Sequence, residues 1–104
     1  MAGDEALLKI VEEILPEGMR VLYQNRYEWN KSEIFSLSLN HRLVGWVMID
    51  PDFQVCVYRD LGSRQWEPLA NLNDQGSVEV IKEALRRIEW RTIEWRTIPN
   101  RTSS

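Results

Sequence analysis

The sequence predicts an α+β fold: an antiparallel meander sheet of four to five strands, flanked by an N-terminal and a C-terminal helix packed on one face. Apolar residues recur at helical spacing near both ends of the chain, and the central part alternates apolar and polar residues. Turn-forming residues separate these central segments. The 104 residues suit one two-layered domain, which we place at 1–98, followed by a flexible C-terminal tail at 99–104.

Each predicted helix has a capping residue and an apolar stripe, and the first also has a stop signal. Asp4 is expected to cap the first helix and Pro16 to end it, and its stripe is Leu7, Ile10, Val11 and Ile14. Ser77 is expected to cap the second helix, and its stripe is Val78, Ile81, Leu85 and Ile88. The predicted strands span 19–29, 33–39, 43–49, 53–59 and, as a short edge strand that contains Pro68, 65–69.

Two turns allow the register of the sheet to be predicted. If Leu39 lies opposite Arg42 and Asp50 lies opposite Phe53, the face that meets the helices holds Phe35, Leu37, Leu39, Val44, Trp46, Met48, Phe53, Val55 and Val57. The second face then holds Ile34, Ser36, Ser38, Leu43, Gly45, Val47, Ile49, Gln54, Cys56 and Tyr58. This second face is too apolar to be left to water, although a slip of one residue would exchange the two sets.

Composition narrows the classes of protein and the expected compartment. A net charge of −3 and a pI of about 5.2 argue against a dedicated nucleic-acid binder, which needs basic residues to neutralise phosphates. A basic excess is confined to residues 82–101, opposite in charge to the acidic residues 1–17. Cys56 is the only cysteine, which suits a reducing compartment, and the N-terminus has acids where a signal peptide has bases. We therefore expect a cytoplasmic protein without a membrane span.

A tandem duplication marks the C-terminal part of the chain. Residues 88–92, Ile-Glu-Trp-Arg-Thr, are repeated at 93–97. A five-residue period matches neither a helix nor a strand, so Trp90 and Trp95 cannot occupy equivalent positions in one regular element. The duplication is either a change tolerated near a terminus or a recognition tail that uses these tryptophans with Arg91 and Arg96.

Catalytic, cofactor and metal sites are not indicated by the sequence. The single histidine, His41, and Cys56 are about 20 Å apart along the predicted sheet, too far for a nucleophile and its base. Asp50 and Asp52 are explained by turn formation, and the glycines form no phosphate-binding loop. We therefore expect no enzyme activity, no cofactor and no metal.

The function predicted from the sequence is a small non-enzymatic interaction domain or accessory subunit, homodimeric or bound to another protein. The surface expected to carry the interaction comprises Ile34, Leu43, Val47, Ile49, Tyr58, Trp90, Arg91, Trp95 and Arg96. A single-stranded nucleic-acid binder that uses sheet aromatics and the basic C-terminus is one alternative. A small-ligand or enzymatic domain is the other, and it requires a pocket that the sequence does not reveal. The C-terminal segment folding back over its own sheet is a rival explanation for the apolar second face.

Overall fold

The fold is a five-stranded antiparallel sheet with two helices, seen in a computed structural model that describes residues 2–28, 30–59 and 65–93. In chain order the elements are α1 (Ala2–Ile14), β1 (Met19–Arg26), β2 (Glu33–Leu39), β3 (Arg42–Ile49), β4 (Gln54–Tyr58), β5 (Glu67–Asn71) and α2 (Ser77–Arg87). The strands are neighbours in the order in which they occur in the chain. The predicted α+β meander is therefore confirmed, whereas the tail predicted at 99–104 lies outside the described residues.

Both helices contribute to one apolar core with the same side of the sheet, which we call the near face. Val11 and Ile14 of α1 and Ile81 and Leu85 of α2 are fully buried. Their partners from the sheet are Phe35, Leu37, Val44, Val47, Ile49, Val55 and Val57. The predicted position of Leu85 in the core is confirmed. Neither of the two described helices is long and apolar enough to cross a membrane.

The helix starts differ from the predicted caps. Helix α1 begins at Ala2, two residues before Asp4. At the start of α2 the cap position is Gly76, which has a φ of 77°. The Ser77 hydroxyl instead donates a hydrogen bond to the Leu72 carbonyl oxygen at 3.3 Å and so ties the helix to the preceding loop. Ser77 was therefore wrongly predicted as the cap, because its side chain has a better partner in tertiary structure than the helix backbone.

The β2–β3 hairpin confirms one predicted pair and corrects the others. Asn40 and His41 both have positive φ, 55° and 66°, as a tight two-residue turn requires, and Leu39 lies opposite Arg42. A bulge between Leu37 and Ser38 then shifts the register by one residue. Phe35 consequently lies opposite Val47 and not opposite Trp46.

The β3–β4 turn shifts the register in the same way. The Phe53 amide donates to the Asp50 carbonyl oxygen at 2.9 Å, and Phe53 takes a left-handed φ of 66°. The Asp50 amide consequently pairs with the carbonyl oxygen of Gln54 and not with Phe53. This extra left-handed residue is the feature of a type I turn followed by a bulge. The pairs that result are Ile49↔Val55, Met48↔Cys56, Val47↔Val57 and Trp46↔Tyr58.

Because of these two shifts, the two faces of β3 are exchanged relative to the prediction. Val47 and Ile49, expected on the outer face, are 0% and 1% exposed within the core. Trp46 and Met48, expected in the core, pair with residues of the opposite side, which we call the far face. The error arose because β3 is apolar on both sides, so its own sequence could not decide which side faces the helices.

Candidate binding site on the far face of the sheet

A row of directly opposed residues crosses four strands of the far face. Tyr23 of β1 lies opposite Ser36 of β2, Ser36 opposite Trp46 of β3, and Trp46 opposite Tyr58 of β4. The ring of Trp66, which precedes β5, extends the row, because its centre is 5.3 Å from that of Tyr58. The row therefore places aromatic rings on both sides of one serine.

Ser36 makes a gap in this row and lines a shallow depression of about 440 Å³. The depression is lined by Tyr23, Asn25, Tyr27, Ile34, Ser36, Trp46, Tyr58 and Trp66. Ser36 is the smallest of these residues and lies between Tyr23 and Trp46, so it forms the floor, with Ile34 beside it. Aromatic rings provide the walls.

One wall of the depression is an ordered cluster of three rings. The Trp46 and Tyr58 rings meet edge to face, with centres 5.7 Å apart and an angle of 76° between their planes. The Tyr58 and Trp66 rings are tilted by 60°. Edge-to-face pairs of this kind contribute about 0.5–1.5 kcal/mol beyond the area that they bury. The rings are thus held in position before anything binds.

The opposite wall depends on an irregularity in β1. Val21 packs against the core, and a register shift between Val21 and Tyr23 leaves Leu22 as an extra residue, 54% exposed. Because of this bulge, Tyr23 projects on the far face, where it is 64% exposed. Much of the Tyr23 ring is therefore accessible on this side of the sheet.

The part of the lining that the structure describes is polar and aromatic but uncharged. Among the described residues that line it, none is charged; they offer phenol hydroxyls, indole N–H groups, one amide and one hydroxyl. Of the described residues, none accepts a hydrogen bond from the indole of Trp46 or Trp66.

Cys56 lies on the far face two residues before Tyr58, opposite Met48 and Pro68. Burial, helped by the negative charge of Asp50, raises the pKa of its thiol. The thiol is therefore a weaker nucleophile than an exposed one at neutral pH. Within 2–28, 30–59 and 65–93 no three His, Cys, Asp or Glu residues come together in a group that could hold a metal ion.

The sheet residues predicted for the interaction surface divide between the two faces. Tyr58 and Ile34 lie in the depression, on the predicted side of the sheet. Val47 and Ile49 lie in the core and cannot contact a partner, because the register is shifted. Leu43 is 6% exposed, and its carbonyl oxygen accepts a hydrogen bond from the Ile93 amide at 2.8 Å.

Among the C-terminal residues of the predicted surface, Trp90 lies on the opposite side of the sheet from the expected one. Trp90 packs against the core on the near side, beside Gly45, and its indole donates to the Leu85 carbonyl oxygen at 3.0 Å. It therefore anchors the end of α2 and does not cover the far face. Arg91 is exposed, and Trp95 and Arg96 lie outside the described residues.

Of the lining residues, Tyr23 and Tyr27 were not assigned to a face from the sequence, Ser36 was placed on the second face without a role in the interaction, and Trp46 was assigned to the core. Comparisons with protein-family models, with curated proteins and with solved structures found no match for the chain. Function is therefore inferred from the far face alone.

Proposed function

We propose that this protein is a non-enzymatic interaction domain that binds a segment of another protein through the depression on its far face. The observation that carries the proposal is the row formed by Tyr23, Ser36, Trp46 and Tyr58, which makes an uncharged aromatic recess on an exposed side of the sheet. Its lining offers aromatic surface and hydrogen-bonding groups, where an acid–base or nucleophilic site needs carboxylates, imidazole or a thiol.

A protein partner suits this lining because tyrosine and tryptophan dominate the binding energy of many protein interfaces. Their large rings bury much area while few rotatable bonds are fixed. Here Trp46 and Tyr58 are already held by their mutual contact, so less side-chain entropy is lost when a partner binds. The geometry therefore favours binding with a small ordering cost.

Single-stranded nucleic acid is the second candidate, because bases stack on sheet aromatics. Phosphates require nearby cations, however, and none of the described lining residues is cationic. The net charge of −3 adds a weak repulsion. An oligothymidine titration at two salt concentrations distinguishes this candidate, because binding to phosphates falls steeply with salt.

A homodimer remains a prediction that the position of Val47 makes weaker. The expected two-fold contact included Val47 and Tyr58; Val47 is in the core, and Tyr58 lies in the depression. Light scattering at micromolar concentration gives the mass in solution. A dimer that dissociates when Tyr23 is changed to Ala would make a second copy of the chain the occupant of the far face.

The proposal is tested by selecting binders from a random peptide library displayed on phage, with the full chain as bait. Two variants at one position provide the comparison: Ser36→Phe fills the floor of the depression, and Ser36→Ala leaves it open. Ser36 is on a strand and partly exposed, so neither change disturbs the core. We expect peptides that bind the native chain and Ser36→Ala and lose binding to Ser36→Phe. Selection of no peptide, or of peptides that bind all three alike, would refute the proposal.

A further inference from the structure

The hydrogen-bonding groups of the depression favour an occupant that is rich in acceptors. The indole N–H groups of Trp46 and Trp66 can only donate, and among the described residues they have no acceptor. The Tyr23 hydroxyl and the Asn25 amide can donate as well. A proline residue has a carbonyl acceptor and no N–H, and a polyproline II helix leaves its carbonyls unpaired. The two sets of groups are complementary.

The absence of charge in the described lining points to the same kind of occupant. A phosphate or carboxylate ligand calls for cationic groups, and a lysine-rich peptide calls for acidic ones. The lining of Tyr23, Ser36 and Trp46 supplies neither. An uncharged segment leaves no unpaired charge at the contact.

The three aromatic rings of Trp46, Tyr58 and Trp66 are inclined to one another and do not form a flat stacking surface. Planes that meet at 76° between Trp46 and Tyr58, and at 60° between Tyr58 and Trp66, prevent a base from lying flat over both rings of a pair. A pyrrolidine ring is compact enough to pack against one aromatic ring at a time, and aromatic-lined grooves are the recognised sites for proline-rich segments.

The spacing of the row also matches the repeat of a polyproline II helix. Ser36 on β2 and Tyr58 on β4 are two strand spacings apart, which is about 9.6 Å. Three residues of a polyproline II helix advance about 9.3 Å. A segment that crosses the strands can thus place residue i over Ser36 and residue i+3 beside Tyr58.

From these four features we infer that the occupant of the depression is a proline-rich segment of a partner protein in the polyproline II conformation. One proline lies over Ser36 between Tyr23 and Trp46, and carbonyl oxygens accept hydrogen bonds from the two indoles. This inference rests on the proposed function and names the chemistry of the partner. Proline is already restricted in the unbound state, so the ordering cost of binding is low.

The test is a titration of the full chain, labelled with ¹⁵N, with a synthetic proline decamer, followed by NMR. We expect the indole signals of Trp46 and Trp66 to shift, and that of Trp90 to stay, because Trp90 already donates to Leu85. The affinity should fall about tenfold or more in Ser36→Phe and change by less than about threefold in Ser36→Ala. A glycine–serine decamer of equal length is the control peptide.

The outcomes separate the two proposals. If the decamer causes no shift at Trp46 and Trp66, or binds Ser36→Phe as tightly as the native chain, the inference fails. If the library yields peptides that need an open floor at Ser36 but contain no proline, the proposed function stands and the proline-rich class is refuted. If the library yields no peptide and the decamer does not bind, both fail. Binding of oligothymidine at Trp46 in place of peptide would also overturn both.

Discussion

Replacing Val47 and Met48 in turn by alanine tests the register on which the far face depends. Val47 is 0% exposed and lies opposite Phe35 and Val57, so Val47→Ala removes two methyl groups from the core. Their transfer is worth about 0.8 kcal/mol each, and the cavity that remains raises the loss to about 2–3 kcal/mol. For a domain of this size the thermal midpoint should fall by about 10–20 °C.

Met48 is the matched control, because it is the next residue of the same strand and is half-buried on the far face. Met48→Ala removes more atoms but should cost only about 1 kcal/mol or less, since the side chain is partly in water. Urea unfolding followed by circular dichroism measures both losses, provided that the slope of the unfolding free energy against urea concentration is the same in each variant. A larger loss for Met48→Ala than for Val47→Ala would refute the register and return Trp46 to the core.

Three further changes test other parts of the structure. Leu85→Ala should lower the free energy of unfolding in urea by about 2–5 kcal/mol, because the side chain is fully buried in the core. A loss below about 0.5 kcal/mol would contradict that packing. A Cβ at Gly45 would lie 2.7 Å from the Tyr58 carbonyl oxygen and 2.9 Å from the Trp90 ring, so Gly45→Ala should lower the free energy of unfolding by about 1–3 kcal/mol. Part of this loss should be recovered when Trp90 is also changed to Leu. An equal loss with Trp90 and with Leu at position 90 would contradict the contact. Burial and the negative charge of Asp50 raise the pKa of the Cys56 thiol, so iodoacetamide at pH 8 should alkylate Cys56 more slowly than it alkylates free cysteine. Alkylation should be faster in Asp50→Asn. An unchanged rate in Asp50→Asn would exclude an effect of that charge.

The fold could be predicted because periodicity and turn residues agreed over most of the chain. The alternation of Phe35, Leu37 and Leu39 correctly predicted a strand, and the spacing of Ile81 and Leu85 correctly predicted the buried face of a helix. Local features that the pattern does not encode were missed. The cap of α2 is Gly76 because the hydroxyl of Ser77 is drawn to Leu72.

The site was only half predicted, and the reason lies in two irregularities. The bulge beside Leu37 and the left-handed Phe53 each shift the register by one residue, which is sufficient to exchange Val47 for Trp46 on the far face. Phenylalanine seldom adopts a positive φ, so the sequence around Asp50 favoured an ordinary turn without the extra residue. Tyr58 was placed on the correct side because the neighbouring residues Val55 and Val57 face the helices in either register.

The central claim, that the aromatic depression holds a partner segment, is tested most directly by a crystal structure of the chain with its tightest selected peptide. We predict that the peptide crosses the strands over Ser36, with one residue between Tyr23 and Trp46 and another beside Tyr58. A peptide bound along the outer edge of β1 or against the helices, with the row left uncovered, would contradict the claim.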